Sequence, residues 1–161
     1  MEAINRVGEF TISLIDNPLI PVKKARANHQ NTDFTKDLIL VDSLGNAQKI
    51  GTSDTFNGIG EVMTYGDFYT QIYTFDFYGS NAFSLATNFI ALLRSQRAYN
   101  LQQSSGLTFY RPSSITDLKQ LVGTTYNNRY QIEVKVGFST NVNINTLRID
   151  TAEWVLRFVE E

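Results

Sequence analysis

The stretch Tyr69-Thr70-Gln71-Ile72-Tyr73-Thr74-Phe75-Asp76-Phe77-Tyr78-Gly79-Ser80-Asn81 decides the fold class, because a strand, a corner and a helix start follow one another in it. Tyr69, Gln71, Tyr73, Phe75 and Phe77 fall on one face, and Thr70, Ile72, Thr74, Asp76 and Tyr78 on the other, the period of two that a strand imposes on its side chains. Aromatic and β-branched residues dominate it, as strands favour. Counted from Phe68 to Tyr78, it would run about 36 Å at roughly 3.3 Å per residue. That is more than a small core requires, so part of it is expected to protrude or to pair with another chain. Gly79 permits the positive φ of a strand-to-helix corner, and Ser80 or Asn81 is expected to accept hydrogen bonds from the first free helical amides.

Beyond that corner, Ala82, Leu85, Ala86, Phe89, Ile90, Leu92 and Leu93 recur at steps of three and four, while Asn88, Ser95 and Gln96 lie mostly outside the apolar face. The spacing predicts one long helix from Asn81 to Asn100 laid across a sheet. Arg94 and Arg97 come late in it and read as solvated charges suited to the C-terminal end of the helix dipole. Gly106 stops the segment.

Working outward toward the N-terminus, Gly51 to Gly60 is rich in loop formers and reads as an unusually long connection. Gly58 and Gly60 do not make a nucleotide loop, since the third glycine and the following helix are missing. Asp37 to Asp42 reads as a short strand, with Ser43-Leu44-Gly45-Asn46 turning into Ala47 to Gly51 as a hairpin. Residues 1–24 form an arm or edge segment in which Phe10, Ile12 and Leu14 alternate as in a short strand, and residues 25–161 form a single α+β domain. His29 sits in a polar run, Arg26-Ala27-Asn28-His29-Gln30-Asn31, with no second histidine to make a metal or general-base site.

Toward the C-terminus, Leu107 to Arg111 is a short strand closed by Pro112, and Ser113 to Val122 is predicted as a second, short helix with Ser114 as its cap. Thr125 to Thr140 has the cleanest alternation in the chain: Tyr130, Ile132, Val134, Val136 and Phe138 oppose Arg129, Gln131, Glu133 and Lys135. Thr146 to Val159 is predicted as the last strand, carrying Trp154, Leu156 and Phe158. Glu160 and Glu161 read as a solvated tail. The fold class is therefore α+β: a mainly antiparallel twisted sheet, one long helix packed across one face and a second short helix, with the other sheet face left to water or another subunit.

The 161 residues are enough for one domain with a real core, and 42% hydrophobic against 19% charged residues is a globular balance. The net charge of -2, from 14 basic and 16 acidic residues, gives no electrostatic case for wrapping nucleic acid. The absence of cysteine removes disulfides, thiolate catalysis and cysteine-bound zinc. Asp76, Asp117 and Glu133 are scattered, with no histidine beside them, so no catalytic residue, no metal ligand and no cofactor site is expected. Met1 to Arg6 lacks a basic segment followed by an apolar one, and no apolar run is long enough to cross a bilayer; no membrane partner is expected.

Phe75-Asp76-Phe77-Tyr78-Gly79-Ser80-Asn81-Ala82, the helix through Leu92-Leu93-Arg94-Ser95, Ile115-Thr116-Asp117-Leu118 and Arg129-Tyr130-Gln131-Ile132-Glu133-Val134 together resemble the neck terminator family of tailed bacteriophages. The run Arg26 to Asn31 resembles that family's early segment, whereas Thr32 to Lys36 stands where prolines are expected. The resemblance implies a non-enzymatic structural virion protein, made in the host cytoplasm and built into the neck. It implies a homo-oligomeric ring, a hexamer, that caps the tail tube and joins tail to head connector while DNA passes through its lumen without specific binding. Candidate interface residues are Tyr73, Phe75 and Phe77 on the central strand, Trp154 on the last strand, Leu44 and Asn46 in the turn, and Asn57 and Gly58 in the long loop. The expected subunit contact is an edge of the Phe68 to Tyr78 strand or of the Trp154 to Phe158 strand, with the loop and turn meeting the tube or connector. The alternative is a small-ligand-binding α+β domain with an aromatic pocket lined by Tyr73, Phe75 and Tyr130.

Overall fold

The computed structural model describes residues 2–26, 32–122 and 125–146. In chain order the elements are α1 (Ala3–Ile15), β1 (Val22–Lys24), β2 (Leu38–Asn57), β3 (Val62–Tyr78), α2 (Ala82–Leu92), α3 (Gln96–Ser105), β4 (Leu107–Phe109), β5 (Thr116–Asp117), β6 (Gln120–Val122), β7 (Thr125–Asn127) and β8 (Arg129–Asn145). The main sheet has six strands in the order β1-β2-β3-β8-β4, with β5 also paired to β8. It is mixed, since β1 runs parallel to β2. β6 and β7 form a separate two-stranded ribbon.

This overturns the expected α+β arrangement of one long helix across an antiparallel sheet with a short helix after it: the described residues hold three short helices and a mixed sheet. The long helix breaks at Ser95, whose backbone is extended and whose side chain accepts from the Ala98 amide at 3.2 Å. The reason lies in helical phase. α2 buries Ala82, Ala86 and Phe89, whereas α3 buries Ala98. Ala98 comes nine residues after Phe89, and at about 100° per residue an unbroken helix would put the two on opposite sides. A serine cap at the join lets both face the core.

α1 is also a correction, because the alternation of Phe10, Ile12 and Leu14 suggested a strand. Val7, Phe10, Thr11 and Leu14 are the buried set, spaced as one helical face, and Ile12 is exposed. The helix ends at Asp16, which takes a left-handed conformation and donates its amide to the Ile12 carbonyl. α1 and α3 cap one another's C-termini: Arg6 donates to the Ser105 and Gly106 carbonyls, and Arg97 donates to the Ser13 carbonyl at 2.7 Å and pairs with Asp16 at 2.9 Å. Arg97 thus serves α1 from the first turn of α3, rather than standing in solvent at the end of its own helix.

The short helix expected over Ser113 to Val122 is replaced by edge pairing. Ser113 donates its amide to the Glu133 carbonyl and Leu118 to the Arg129 carbonyl, so the segment runs along β8. A helix that short is marginal alone, and an open sheet edge offers the same backbone groups partners at once. The expected strand from Thr125 is split at Asn128 into β7 and β8.

The core lies on one face of the sheet. Ile39 and Val41 of β2, Tyr73, Phe75 and Phe77 of β3, and Ile132, Val134 and Val136 of β8 stand in register on it. Phe89 of α2 packs on Phe75 and Phe77 with ring centroids 4.8 and 5.6 Å apart, and Phe10 of α1 stacks on Phe109 at 4.1 Å. Burying each such side chain contributes about 1.5–3 kcal/mol. The corner is as expected at Gly79, with φ +103°, where an added Cβ would collide with the backbone of Asp37. The capping differs: the Asp37 carboxylate accepts from the Asn81 amide at 3.1 Å and from its side chain at 2.8 Å, while Asn81 makes no side-chain cap of its own.

Candidate functional site

Residues 51–57 of the predicted connection and the predicted turn at residues 43–46 are both part of a single strand, β2. Two register shifts, between Leu44 and Gln48 and between Lys49 and Gly51, mark bulges at its middle. Gly45 takes φ +70° in the first, and its carbonyl accepts from the Gln71 side chain at 2.8 Å. Gln71 in turn accepts from the Tyr73 hydroxyl at 3.0 Å. Burial pushes the Tyr73 phenol up to about 12, against a smaller opposing pull from Arg6. The real turn is at residues 58–61, beyond which β3 begins earlier than its aromatic half suggested.

The consequence is a three-stranded projection. The distal halves of β2 and β3 and the end of β8 continue the ladder well past the last core residues, with Asn57 opposite Val62 and Val62 opposite Asn145. Among the described residues the helices cover the sheet only near its body, which leaves both faces of the projection open. They differ in chemistry. On the face continuous with the core, Phe56, Met63 and Ile144 stand side by side, and Tyr65 stands beside Val142. Phe56, Tyr65, Val142 and Ile144 are all exposed there. The opposite face carries Ser53, Thr55, Thr64, Asn141 and Asn143, with a Thr64 to Asn143 side-chain hydrogen bond of 2.9 Å.

At the root of the apolar face, Lys49 and Asp67 form an ion pair of 2.6 Å, and Tyr69 stacks on Phe138 at 5.8 Å. The hydrogen bond from Lys49 is what holds the Asp67 carboxyl below its ordinary range, and the same bond raises the Lys49 ammonium. No lysine or arginine occurs from residue 50 to residue 69 or from residue 136 to residue 146. The projection therefore offers apolar contact, neutral hydrogen-bonding groups and carboxylates, Asp54 beside Tyr65 and Glu61 at the turn, without a phosphate-binding stripe.

A cleft of about 340 Å³ opens at the first bulge, lined in part by Leu44, Gln48, Thr70, Ile72 and Lys135. Leu44 faces Ile72, and Ile72 faces Lys135 across three strands. The Thr70 hydroxyl is buried without a hydrogen-bond partner among the described residues, which costs about 1–3 kcal/mol.

The sequence-predicted interface residues separate accordingly. Tyr73, Phe75 and Phe77 are in the core, at most 1% exposed, and β3 is paired along both edges, by β2 and by β8. Neither their side chains nor an edge of their strand is available to another subunit, which corrects the expected β3 edge contact. Leu44 and Asn46 lie at the bulge cleft, and Asn57 ends β2 beside Gly58 at the tip. Trp154, with the predicted last strand from residue 147 onward, and His29 lie outside the described residues. The aromatic pocket of the ligand-binding alternative is filled: Phe75 packs on Phe89, and Tyr130 packs on Phe83 with centroids 5.4 Å apart. Among the described residues no three histidine, aspartate or glutamate side chains cluster to hold a metal, and no helix is long and apolar enough to cross a membrane.

Sequence reasoning expected part of the long strand to protrude but missed that residues 51–57, 62–67 and 141–145 build the projection. Its signal was present in Val62 to Phe68 and Asn141 to Asn145, where polar and apolar residues alternate, but the many Ser, Thr, Asn and Gly residues also read as loop.

Among the described residues, then, the sheet carries an exposed apolar face beyond its own helices, and exposed apolar area gathered on one face is a mark of contact surfaces. No curated protein matches the chain. A family model described as phage neck terminator protein matches residues 3–158, nearly the whole chain, and the protein accordingly belongs to the phage neck terminator protein family, a structural family of the virion neck.

Proposed function

We propose that this subunit builds a closed homo-oligomeric ring, a hexamer, that caps the phage tail tube at the neck and receives the head connector. The observation that carries the reading is the projecting sheet, whose exposed Phe56, Tyr65, Val142 and Ile144 share one face. Exposed apolar area gathered on one face marks a contact surface. A ring needs two different patches on each subunit, and the projection and the body are two such patches. The lack of lysine and arginine over residues 50–69 and 136–146 suits a passage through which DNA slides without being held.

In this reading the chain is not an enzyme and takes no cofactor. Its partners are its own copies, the tail tube protein and the head connector, and its place is the virion, after synthesis in the host cytoplasm. Leu44, Asn46, Asn57 and Gly58 remain candidate contact positions. The test is the mass of the purified protein by light scattering, followed by imaging of the large species, alone and with purified tail tubes. Closed rings that sit at one end of the tubes are the expected result. A monomer that neither oligomerises at high concentration nor binds tube ends overturns the reading.

A further inference from the structure

The tip of the projection is built to present one side chain. Asn57 accepts from the amides of Ile59 and Gly60 at 3.1 and 3.3 Å, which holds the turn, and Ile59 between its two glycines is fully exposed. Glu61 follows with a left-handed φ of 48° and makes no ion pair among the described residues. An isoleucine held out by an ordered turn, two residues before an acid, is a plug of defined chemistry: an aliphatic group with a carboxylate at its side.

The bulge cleft has the complementary chemistry. Leu44 and Ile72 are 49% and 40% exposed and adjacent, Lys135 stands next to Ile72, and the unpartnered Thr70 hydroxyl lies below. The Lys135 ammonium lies 5.8 Å from the Tyr110 ring and makes no ion pair among the described residues, although Glu133 lies on the same face. A subunit cannot fill its own cleft. Ile59 is eleven residues from Gln48, about 36 Å along an extended strand at roughly 3.3 Å per residue, and β2 stays paired to β3 from Gly51 to Asn57 beyond the Lys49 to Gly51 bulge.

We infer that the hairpin tip, Ile59 with Glu61, seats in the bulge cleft of a second copy of this chain, Ile59 against Leu44 and Ile72 and Glu61 toward Lys135. This rests on the ring reading and names one of its contacts. Tip and cleft are different patches at opposite ends of the projection, so the contact is head-to-tail and propagates until rotation closes it. The apolar pair supplies affinity, and the charge pair supplies register.

The chain has no cysteine, so a cross-link reports cleanly. Full-length protein carrying Leu44→Cys and Ile59→Cys, oxidised after assembly, should give a ladder of covalent oligomers that ends at the ring number, whereas either substitution alone can give at most a dimer. Ile59→Asp should raise the concentration for half-assembly about tenfold or more, the effect of one lost aliphatic burial, with an unchanged thermal melt because the side chain is fully exposed. Glu61→Lys and Lys135→Glu should each weaken assembly, and the two together should recover most of it. Wild-type rings with no ladder and with normal assembly of Ile59→Asp would overturn the contact and leave the ring reading standing. A wild-type chain that stays monomeric both alone and on purified tail tubes would overturn both.

Discussion

Arg129 grips Asp76 with both ends of its guanidinium, Nε and one terminal nitrogen each 3.2 Å from a different carboxylate oxygen, across the two central strands of the sheet. Gln131 adds a third hydrogen bond at 3.0 Å, and the Arg129 guanidinium also lies 5.8 Å from the Tyr78 ring. Asp76 is only 5% exposed, so its carboxylate oxygens take their hydrogen bonds from these partners. The polar network locks β3 to β8 on the face away from the core, beside the corner that starts α2.

Arg129→Met leaves that carboxylate poorly compensated and should cost about 2–3 kcal/mol, less than a fully buried pair because the arginine is partly exposed. Replacing both residues, Asp76→Leu with Arg129→Met, should cost less than the sum of the single changes, since no bare charge remains. Urea denaturation of the four proteins measures the coupling. Strict additivity would contradict the network.

Alkaline pH should reach the core through Tyr73. Its phenol is raised to about 12 by burial, so between pH 10 and 12 the unfolded chain loses this proton while the folded one keeps it. The unfolded state then binds fewer protons, and stability falls as pH rises through that window, by about 2–3 kcal/mol for a shift of roughly two units. Below pH 10 the contribution is fully present. Tyr73→Phe should cost about 1 kcal/mol at neutral pH by releasing Gln71. It should also flatten the alkaline fall, which denaturant midpoints from pH 8 to pH 12 would reveal.

Ser95 is the hinge of the helical layer. Ser95→Ala removes the hydroxyl that accepts from the Ala98 amide and should cost about 1 kcal/mol, while Ser95→Asp should retain most of the cap. Thermal melts compare the three proteins. Equal stability of alanine and serine at this position would mean that packing of Ala98, rather than the cap, sets the break.

The apolar face of the projection should matter for assembly and hardly at all for folding. Val142→Lys with Ile144→Lys changes two exposed side chains and should move subunit stability by no more than about 0.5 kcal/mol each. On the ring reading the same pair abolishes oligomers. Light scattering and melting curves on one preparation separate the two effects, and full oligomerisation of the double variant would remove this face from the interface.

Several features were legible from local pattern. The alternation grouped Tyr73, Phe75 and Phe77, and likewise Ile132, Val134 and Val136, on one face each, and Gly79 marked the corner, but the first three were expected at an interface and stand in the core. Two misses had signals that local pattern also held. Val7, Phe10, Thr11 and Leu14 are spaced as a helix, and Ala98 is out of phase with Phe89. In each case a competing local pattern, the alternation of residues 10 to 14 and the continuous apolar run through Leu93, was read first.

By itself the sequence determined what depends on neighbours in the chain: side-chain period, the glycine corner, the want of cysteine, and the resemblance to a family. The tertiary structure alone decided that β3 is central, that β2 runs through two bulges, and that the ladder outlasts the helices. Those outcomes rest on pairs such as Val62 with Asn145, more than eighty residues apart. A strand's partner on either edge is chosen by backbone hydrogen bonds that every residue type can make, so which edges are filled and which apolar face stays bare is settled only when the whole sheet has assembled.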